Sequence, residues 1–128
     1  MTEETYTYKT VTPYLVVPDG DAEMAFLRAA FGAREMLCHR NEQNAVMHAE
    51  LLIGDSLVML GQAGEMVKAR DAAFYLWVED VDAVYGKALE AGAKSESAPE
   101  DKPYGQRMAG VVDGAGLTWW IGAPVKPR

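Results

Sequence analysis

Apolar and polar residues follow the same order twice along this chain. Residues 14–22 (YLVVPDGDA) recur as residues 75–83 (YLWVEDVDA), and six of the nine positions are identical. Each copy is an apolar run followed by an aspartate, a residue type that caps helix N-termini, and then by apolar residues at helical spacing. Both helical stretches stop at a glycine, Gly32 or Gly92, as left-handed C-caps favour. The pattern predicts a strand and a helix in each half.

Three shorter strand-like runs follow each helix. They are predicted at residues 34–40, 45–53 and 56–60 in the first half, and at 94–97, 107–112 and 117–122 in the second. Gly54-Asp55 reads as a two-residue hairpin turn, residues 113–116 as a second turn, and residues 98–105, with two prolines, as a loop.

The resulting order is βαβββ, twice. It predicts an α+β fold of two tandem modules that form a concave mixed sheet with the helices on its outer face. The modules cover about residues 6–60 and 73–122, with a connector at 61–72. Modules of this size bury little core alone, so we expect them to share a single domain over residues 1–128.

Composition and charge exclude several classes of function. The chain of 128 residues has 12 basic and 19 acidic residues, a net charge of −7, and no clustered basic surface, which argues against nucleic-acid binding. No run reaches the roughly 18 apolar residues of a membrane span. Cys38 is the single cysteine, and the first residues lack the pattern of a secretory leader. These features predict a soluble, cytoplasmic protein whose partners are neutral or cationic.

Three segments carry a resemblance to a known family. Residues 47–51 (MHAEL), 78–83 (VEDVDA) and 104–111 (YGQRMAGV), set within the paired modules, resemble the vicinal oxygen chelate superfamily and its PhnB-like, glyoxalase-like branch. That superfamily includes glyoxalase I, extradiol dioxygenases and bleomycin-resistance proteins. The resemblance covers about residues 11–121 and implies a homodimer with grooves completed across the interface. In the family's enzymes, His, Gln or Glu on the first and last strands of each module hold a divalent metal.

This sequence departs from the family's metal site. The matching positions fall at Thr12, Met59, Ala73 and Trp120, and none of these is a competent ligand for such metals. Neither 57–61 nor 117–122 contains His, Asp, Glu or Cys. We therefore expect no metal in the usual position and no cofactor.

Strand parity predicts which side chains line the groove instead. Alternate residues of a strand lie on the same face of the sheet. The face that carries the family's metal positions therefore also carries several aromatic residues. The candidate ligand-binding residues are Tyr14, Met59, Tyr75, Trp77 and Trp120. The alternative interpretation is that these aromatics are ordinary core.

Turn geometry adds three candidate catalytic residues. A two-residue turn at Gly54-Asp55 places Glu50 opposite Met59, so that His48 and Glu50 face the groove. The same count around residues 113–116 places Ala109 opposite Trp120 and turns Arg107 inward, although a register error of one residue would turn these groups outward. His48 and Glu50 fit an exposed ion pair, two ligands of a metal, or a general acid–base pair.

Two functions follow from these candidates. The first is metal-free binding of a small, cationic or aromatic molecule, in the manner of bleomycin-resistance proteins. The second is a glyoxalase- or lyase-type enzyme with a displaced or absent metal, in which Glu50 or His48 moves a proton and Arg107 steadies an oxyanion. A third possibility is a structural or regulatory dimer whose groove is filled by the neighbouring chain.

Overall fold

The computed structural model describes residues 6–65 and 67–125, and its elements follow the predicted order. Module one contains β1 (Tyr14–Val17), α1 (Gly20–Phe31), β2 (Arg34–Arg40), β3 (Val46–Ile53) and β4 (Ser56–Gln62). Module two contains β5 (Ala73–Trp77), α2 (Val81–Glu90), β6 (Lys94–Asp101), β7 (Gln106–Val112) and β8 (Thr118–Pro124). The α+β class and the two βαβββ modules are confirmed.

The strands form two four-stranded mixed sheets, one in each module. Their orders are β1-β4-β3-β2 and β5-β8-β7-β6. In each sheet the first strand runs parallel to the last, while the other neighbours are antiparallel. The two helices pack against each other, and one apolar cluster spans both modules. Neither of the two helices in the described residues covers the opposite faces of the sheets.

Both helices begin at the predicted aspartates. The Asp19 and Asp80 carboxylates each accept a hydrogen bond, at 3.1 Å, from a backbone N–H three residues further on. Helix α1 ends at Gly32, whose φ of +69° lies in the left-handed region. Helix α2 ends one residue before its glycine, with Ala91 as C-cap and Gly92 at φ +107°.

The core lies between the sheets and their helices. Strand residues of one parity face it, so Leu15 and Val17 of β1 and Trp119 and Ile121 of β8 are buried. The Trp119 ring packs between aromatic rings of both modules, with centroids 4.9 Å from Phe31 and 4.7 Å from Phe74. The predicted alternation of helix-facing and open-facing residues on these strands is confirmed.

The predicted loop over residues 98–105 is too long. Strand β6 continues to Asp101, and the turn covers only the next few residues, where the Gly105 N–H donates to the Lys102 carbonyl at 3.2 Å. Proline lacks the N–H of a central strand, which is why Pro99 suggested a loop. Because β6 is an edge strand with an irregular register between Ser97 and Glu100, Pro99 is accommodated there.

The predicted register of β7 and β8 is wrong by one residue. Gly110, not Ala109, lies opposite Trp120, and Val112 lies opposite Thr118. The turn is one residue shorter than predicted, because the Asp113 N–H donates to the Leu117 carbonyl at 2.9 Å and closes a three-residue loop.

None of the helices in the described part of the chain is long and apolar enough to cross a bilayer.

Candidate functional site

The open face of the module-one sheet, called groove face one, carries four of the predicted site residues. β1 places Tyr14 next to Met59, and the Gly54-Asp55 turn places Glu50 opposite Met59, as predicted. His48 lies two residues from Glu50 on the same strand and therefore on the same face. This sheet brings Tyr14, His48, Glu50 and Met59 together.

Glu50 is the centre of a hydrogen-bond network on this face. Its Oε1 accepts a bond of 2.7 Å from the Tyr6 hydroxyl, and its Oε2 accepts one of 2.6 Å from the Tyr8 hydroxyl. The Nε2 of His48 lies 2.8 Å from the same Oε2. Glu50 is only 1% exposed, so the alternative of an exposed ion pair is wrong.

These contacts keep Glu50 ionised. Burial pushes the pKa of the Glu50 carboxyl upward, but hydrogen bonds from Tyr6, Tyr8 and His48 outweigh it and hold that pKa below its ordinary value. The reverse effect acts on the phenols, because each donates to a carboxylate. The bond to Glu50, with burial, raises the pKa of Tyr6 to about 12, and the same causes raise the pKa of Tyr8.

Aromatic and imidazole rings surround this carboxylate. The Tyr14 and His48 rings lie 5.8 Å apart, and the Tyr6 and Tyr8 rings lie 6.4 Å apart. Tyr14 lies across Gly61, where an added Cβ would come within 2.8 Å of the Tyr14 hydroxyl oxygen. The result is a buried negative charge with aromatic and imidazole rings close to it, an arrangement that attracts cations.

The open face of the module-two sheet, called groove face two, is apolar by comparison. Tyr75 pairs with Trp120 across β5 and β8, and the Tyr75 and Trp77 rings are stacked with centroids 6.3 Å apart. Trp120 lies over Gly110, where an added Cβ would meet the indole ring at 2.5 Å. Trp77 is 56% exposed and offers a large free ring surface. The described contacts place these three aromatics together but separate them from groove face one.

Arg107 does not lie on a groove face, and this prediction is wrong. The corrected register puts Arg107 on the same face as the buried Ala109 and Val111, towards α2. Its Nε and Nη2 donate to the Asp82 carboxylate at 2.9 and 3.0 Å, and its Nη1 donates to Asp101 at 2.9 Å. The module-two residue at the position of His48 is Met108.

Tyr75 and Trp77 also border a cleft between the modules. The cleft has a volume of about 730 Å³ and lies between the C-terminal end of α1 and strand β5. Phe31, Phe74 and Leu76 contribute apolar walls to it. Phe74 and Leu76 lie on the opposite face of β5 from the Tyr75 and Trp77 rings, so this space, large enough for a small molecule, lies on the helix-facing side of that strand.

Comparison with known proteins agrees with this architecture. The sequence pattern of the "Glyoxalase/Bleomycin resistance protein/Dioxygenase superfamily" matches residues 8–121. The chain belongs to this superfamily. Its amino-acid sequence is 32% identical over 127 residues to the uncharacterised protein Mb0911c of Mycobacterium bovis, covering 91% of this chain and 84% of that protein.

Solved structures give the same fold. TioX from Micromonospora sp. ML1 is 26% identical, with a TM-score of 0.72 over 94% of this chain and 99% of TioX. A PhnB protein from Bacillus cereus, described as a putative 3-demethylubiquinone-9 3-methyltransferase, is 19% identical, with a TM-score of 0.70 over 90% of this chain and 99% of that one. At that identity the second likeness concerns the fold alone.

The residues at the superfamily's metal positions do not fit a divalent metal. Met59 and Trp120 occupy the last-strand positions beside Tyr14 and Tyr75, and a thioether and an indole are unsuited to such an ion. Within residues 6–65 and 67–125, no three His, Cys, Asp or Glu side chains are grouped to hold a metal ion. His48 and Glu50 bond to each other.

Three residues of groove face one were missed by sequence reasoning. Tyr6 and Tyr8 reach Glu50 from more than forty residues away along the chain. Their alternate spacing, Tyr-x-Tyr, puts both phenols on one side of an extended segment and is the signal that was available. His39 is exposed and lies directly opposite His48 in the β2–β3 pairing.

Proposed function

We propose that this protein binds a small cationic or aromatic molecule on its groove faces, without a metal ion, and that it acts as a homodimer. The observation that carries the proposal is Glu50, a buried carboxylate kept ionised by Tyr6, Tyr8 and His48. The mechanism is sequestration, because the guest is held and not chemically changed.

The two groove faces supply different parts of the affinity. On groove face one, the positive group of the guest lies over the Tyr8 and Tyr14 rings and is attracted by the charge of Glu50 beneath them. On groove face two, a flat ring of the guest stacks on Trp77, which is exposed and next to Tyr75. The net charge of −7 also favours a cationic guest.

A homodimer explains the large exposed rings. Tyr14, Tyr75 and Trp77 leave 49%, 48% and 56% of their surfaces open to solvent. Exposed aromatic rings on both groove faces support a binding or association site on each of them. In the proposed dimer, groove face one of one protomer meets groove face two of its partner, so that one guest contacts both.

The binding part is tested with a matched pair of probes. Protein treated with a chelator is titrated with N-methylquinolinium and with neutral quinoline, following tryptophan fluorescence. We expect the cation to bind more tightly than quinoline. The affinity for the cation should fall roughly tenfold in Glu50→Gln and stay unchanged in Glu96→Gln, an exposed control. Binding that appears only after a divalent metal is added would contradict the proposal.

The dimer part is tested separately by sedimentation velocity over a range of protein concentrations. We expect twice the chain mass, and a weaker dimer for Trp77→Ala. If the protein is a monomer at all concentrations but still binds N-methylquinolinium, the proposed dimer is wrong and the proposed binding site stands.

The second candidate function is an enzyme, and the His48–Glu50 contact is what favours it. With Glu50 ionised, the Nε2–H of His48 donates to it, which leaves Nδ1 of the imidazole free to take a proton from a substrate. Glu50 would then position the base, since its lowered pKa makes it a weak base itself. Turnover of a carbonyl substrate that survives in His48→Asn would exclude this role.

A further inference from the structure

Two buried carboxyl groups meet where the modules join, away from both groove faces. Glu23 lies on α1 of module one and is 3% exposed, while Asp113 begins the β7–β8 turn of module two and is 5% exposed. The Glu23 carboxyl is within hydrogen-bonding reach of Asp113. Carboxyl groups are almost never buried this deeply without a partner, so the pair requires an explanation.

Asp113 accepts hydrogen bonds from three donors. Its Oδ1 accepts from the backbone N–H groups of Ala115 at 2.9 Å and Leu117 at 3.1 Å. Its Oδ2 accepts from the Trp119 indole N–H at 2.9 Å. Both carboxyl oxygens of Asp113 therefore act as hydrogen-bond acceptors.

Glu23 has the opposite surroundings. Its Oε2 is buried and has no hydrogen-bond partner as long as both groups are ionised. A cavity of about 210 Å³ adjoins it, and the described residues that line this cavity include Asp19 but no Lys, Arg or His. Asp19 already accepts from the Ala22 N–H. Two ionised carboxylates would therefore repel each other here with no cation to balance them.

We propose that Glu23 and Asp113 share one proton, and that the resulting carboxyl–carboxylate hydrogen bond fixes module one against module two. In this state Glu23 is neutral and its O–H donates to Asp113, which accounts for the otherwise unpartnered Oε2. Because Asp113 also bonds to Trp119, whose ring packs on Phe31 of α1, the shared proton and the aromatic contact support the same junction. The junction loosens when the proton is lost.

The direction of the pH effect follows from the raised pKa. Burial, and then the neighbouring Asp113, raise the pKa of Glu23 to about 9 from an ordinary value of 4.5. A group whose folded-state pKa is raised stabilises the fold fully below pH 4.5, and this contribution is lost as the pH rises to about 9. Across that window one linked proton weakens the folding equilibrium by up to roughly tenfold per pH unit.

The test compares the wild type with Glu23→Gln by chemical denaturation from pH 5 to pH 10. The Gln amide copies the neutral form and donates an N–H to Asp113. We expect the wild type to lose stability as the pH rises, the Glu23→Gln variant to lose much less, and the variant to be the more stable protein at pH 10. Glu96→Gln, on the exposed surface, should keep the wild-type profile.

A direct titration decides the case if Glu23→Gln does not fold. The carboxyl carbon of Glu23 in the wild type, followed by NMR, should titrate near pH 9 and not near its ordinary value of 4.5. An ordinary titration, or parallel stability profiles for the wild type and Glu23→Gln, would overturn the proposal. So would a wild-type stability at pH 6 that rises with added K⁺ or Ca²⁺ but stays constant for Glu23→Gln, because a cation and not a proton would then join the pair.

Discussion

Module one and module two have the same backbone plan but carry opposite chemistry on their open faces. Glu50 of module one and Gly110 of module two occupy equivalent places in their sheets. Glu50 is opposite Met59, the partner of Tyr14, and Gly110 is opposite Trp120, the partner of Tyr75. Met59 accompanies Glu50, whereas Trp120 accompanies Gly110. A buried charge with three donors on one side thus corresponds to an indole ring lying on a glycine on the other.

The difference shows how a duplicated module becomes a two-part site. The first-strand tyrosine and the glycine beneath it, Tyr14 over Gly61 and Tyr75 over Gly122, are kept in both modules at one spacing. They preserve the shape of the face. The variable positions then decide whether that face attracts a positive group or a flat ring.

Removing the charge of module one should have the largest effect. In Glu50→Gln an amide with one acceptor oxygen replaces a carboxylate that accepts three bonds, so donors to the other oxygen lose their partner. We expect the free energy of unfolding to fall by about 2–3 kcal/mol, measured by urea denaturation. The pKa of Tyr6, about 12 in the wild type, should return towards 10 in the variant. If it stays near 12, Glu50 is not the acceptor of the Tyr6 bond.

Adding a side chain in module two should lower the free energy of unfolding by a comparable or smaller amount. Gly110→Ala places a Cβ against the Trp120 ring, and we expect a cost of about 1–3 kcal/mol from overpacking. Trp120→Met copies Met59 of module one and removes the ring, so the same Ala should cost less in that background. Equal costs in both backgrounds would show that Trp120 does not lie over Gly110.

Acid should weaken module one specifically. The pKa of Glu50 is lowered in the folded state, so its contribution to stability is present above its ordinary pKa of 4.5 and is lost as the pH falls through the folded value. Arg40 also lowers the pKa of Asp21, but this effect is the same in the wild type and in Glu50→Gln. We therefore expect the wild type to lose more stability than Glu50→Gln when the pH drops below about 4.5, measured by denaturation at each pH. Parallel acid profiles would contradict this.

Removing Arg107 should have the smallest effect. Its ion pairs with Asp82 and Asp101 are partly exposed, so Arg107→Ala should lower the free energy of unfolding only slightly. Affinity for N-methylquinolinium should not change, because Arg107 faces α2 and not groove face two. A large loss of affinity would restore Arg107 to the site.

The same comparison explains what the sequence could predict. In module one, Gly54-Asp55 is a two-residue turn, and counting outward from it correctly paired Glu50 with Met59. In module two, Asp113 pairs with Leu117, which shortens the turn by one residue and reverses every side chain counted from it, Arg107 included. Turn type at that position depends on the carboxylate of Asp113, which no periodicity in the sequence encodes.

Long-range contacts set the second limit. The repeat and its capping aspartates are local signals, so the strands and helices could be read with few errors. The bonds from Tyr6 and Tyr8 to Glu50, and the meeting of Glu23 with Asp113, depend on how distant segments pack together. They could be found only once the fold was known.

The proposal that Glu50 binds a cationic guest without a metal is tested by native mass spectrometry. The purified protein is measured before and after addition of N-methylquinolinium, with no metal added. We expect a dimer that holds no divalent metal, takes up the cation, and loses it when Glu50 is changed to Gln. One tightly held metal ion per chain, with uptake of the cation unaffected by Glu50→Gln, would contradict it and make His48 and Glu50 the first ligands to examine.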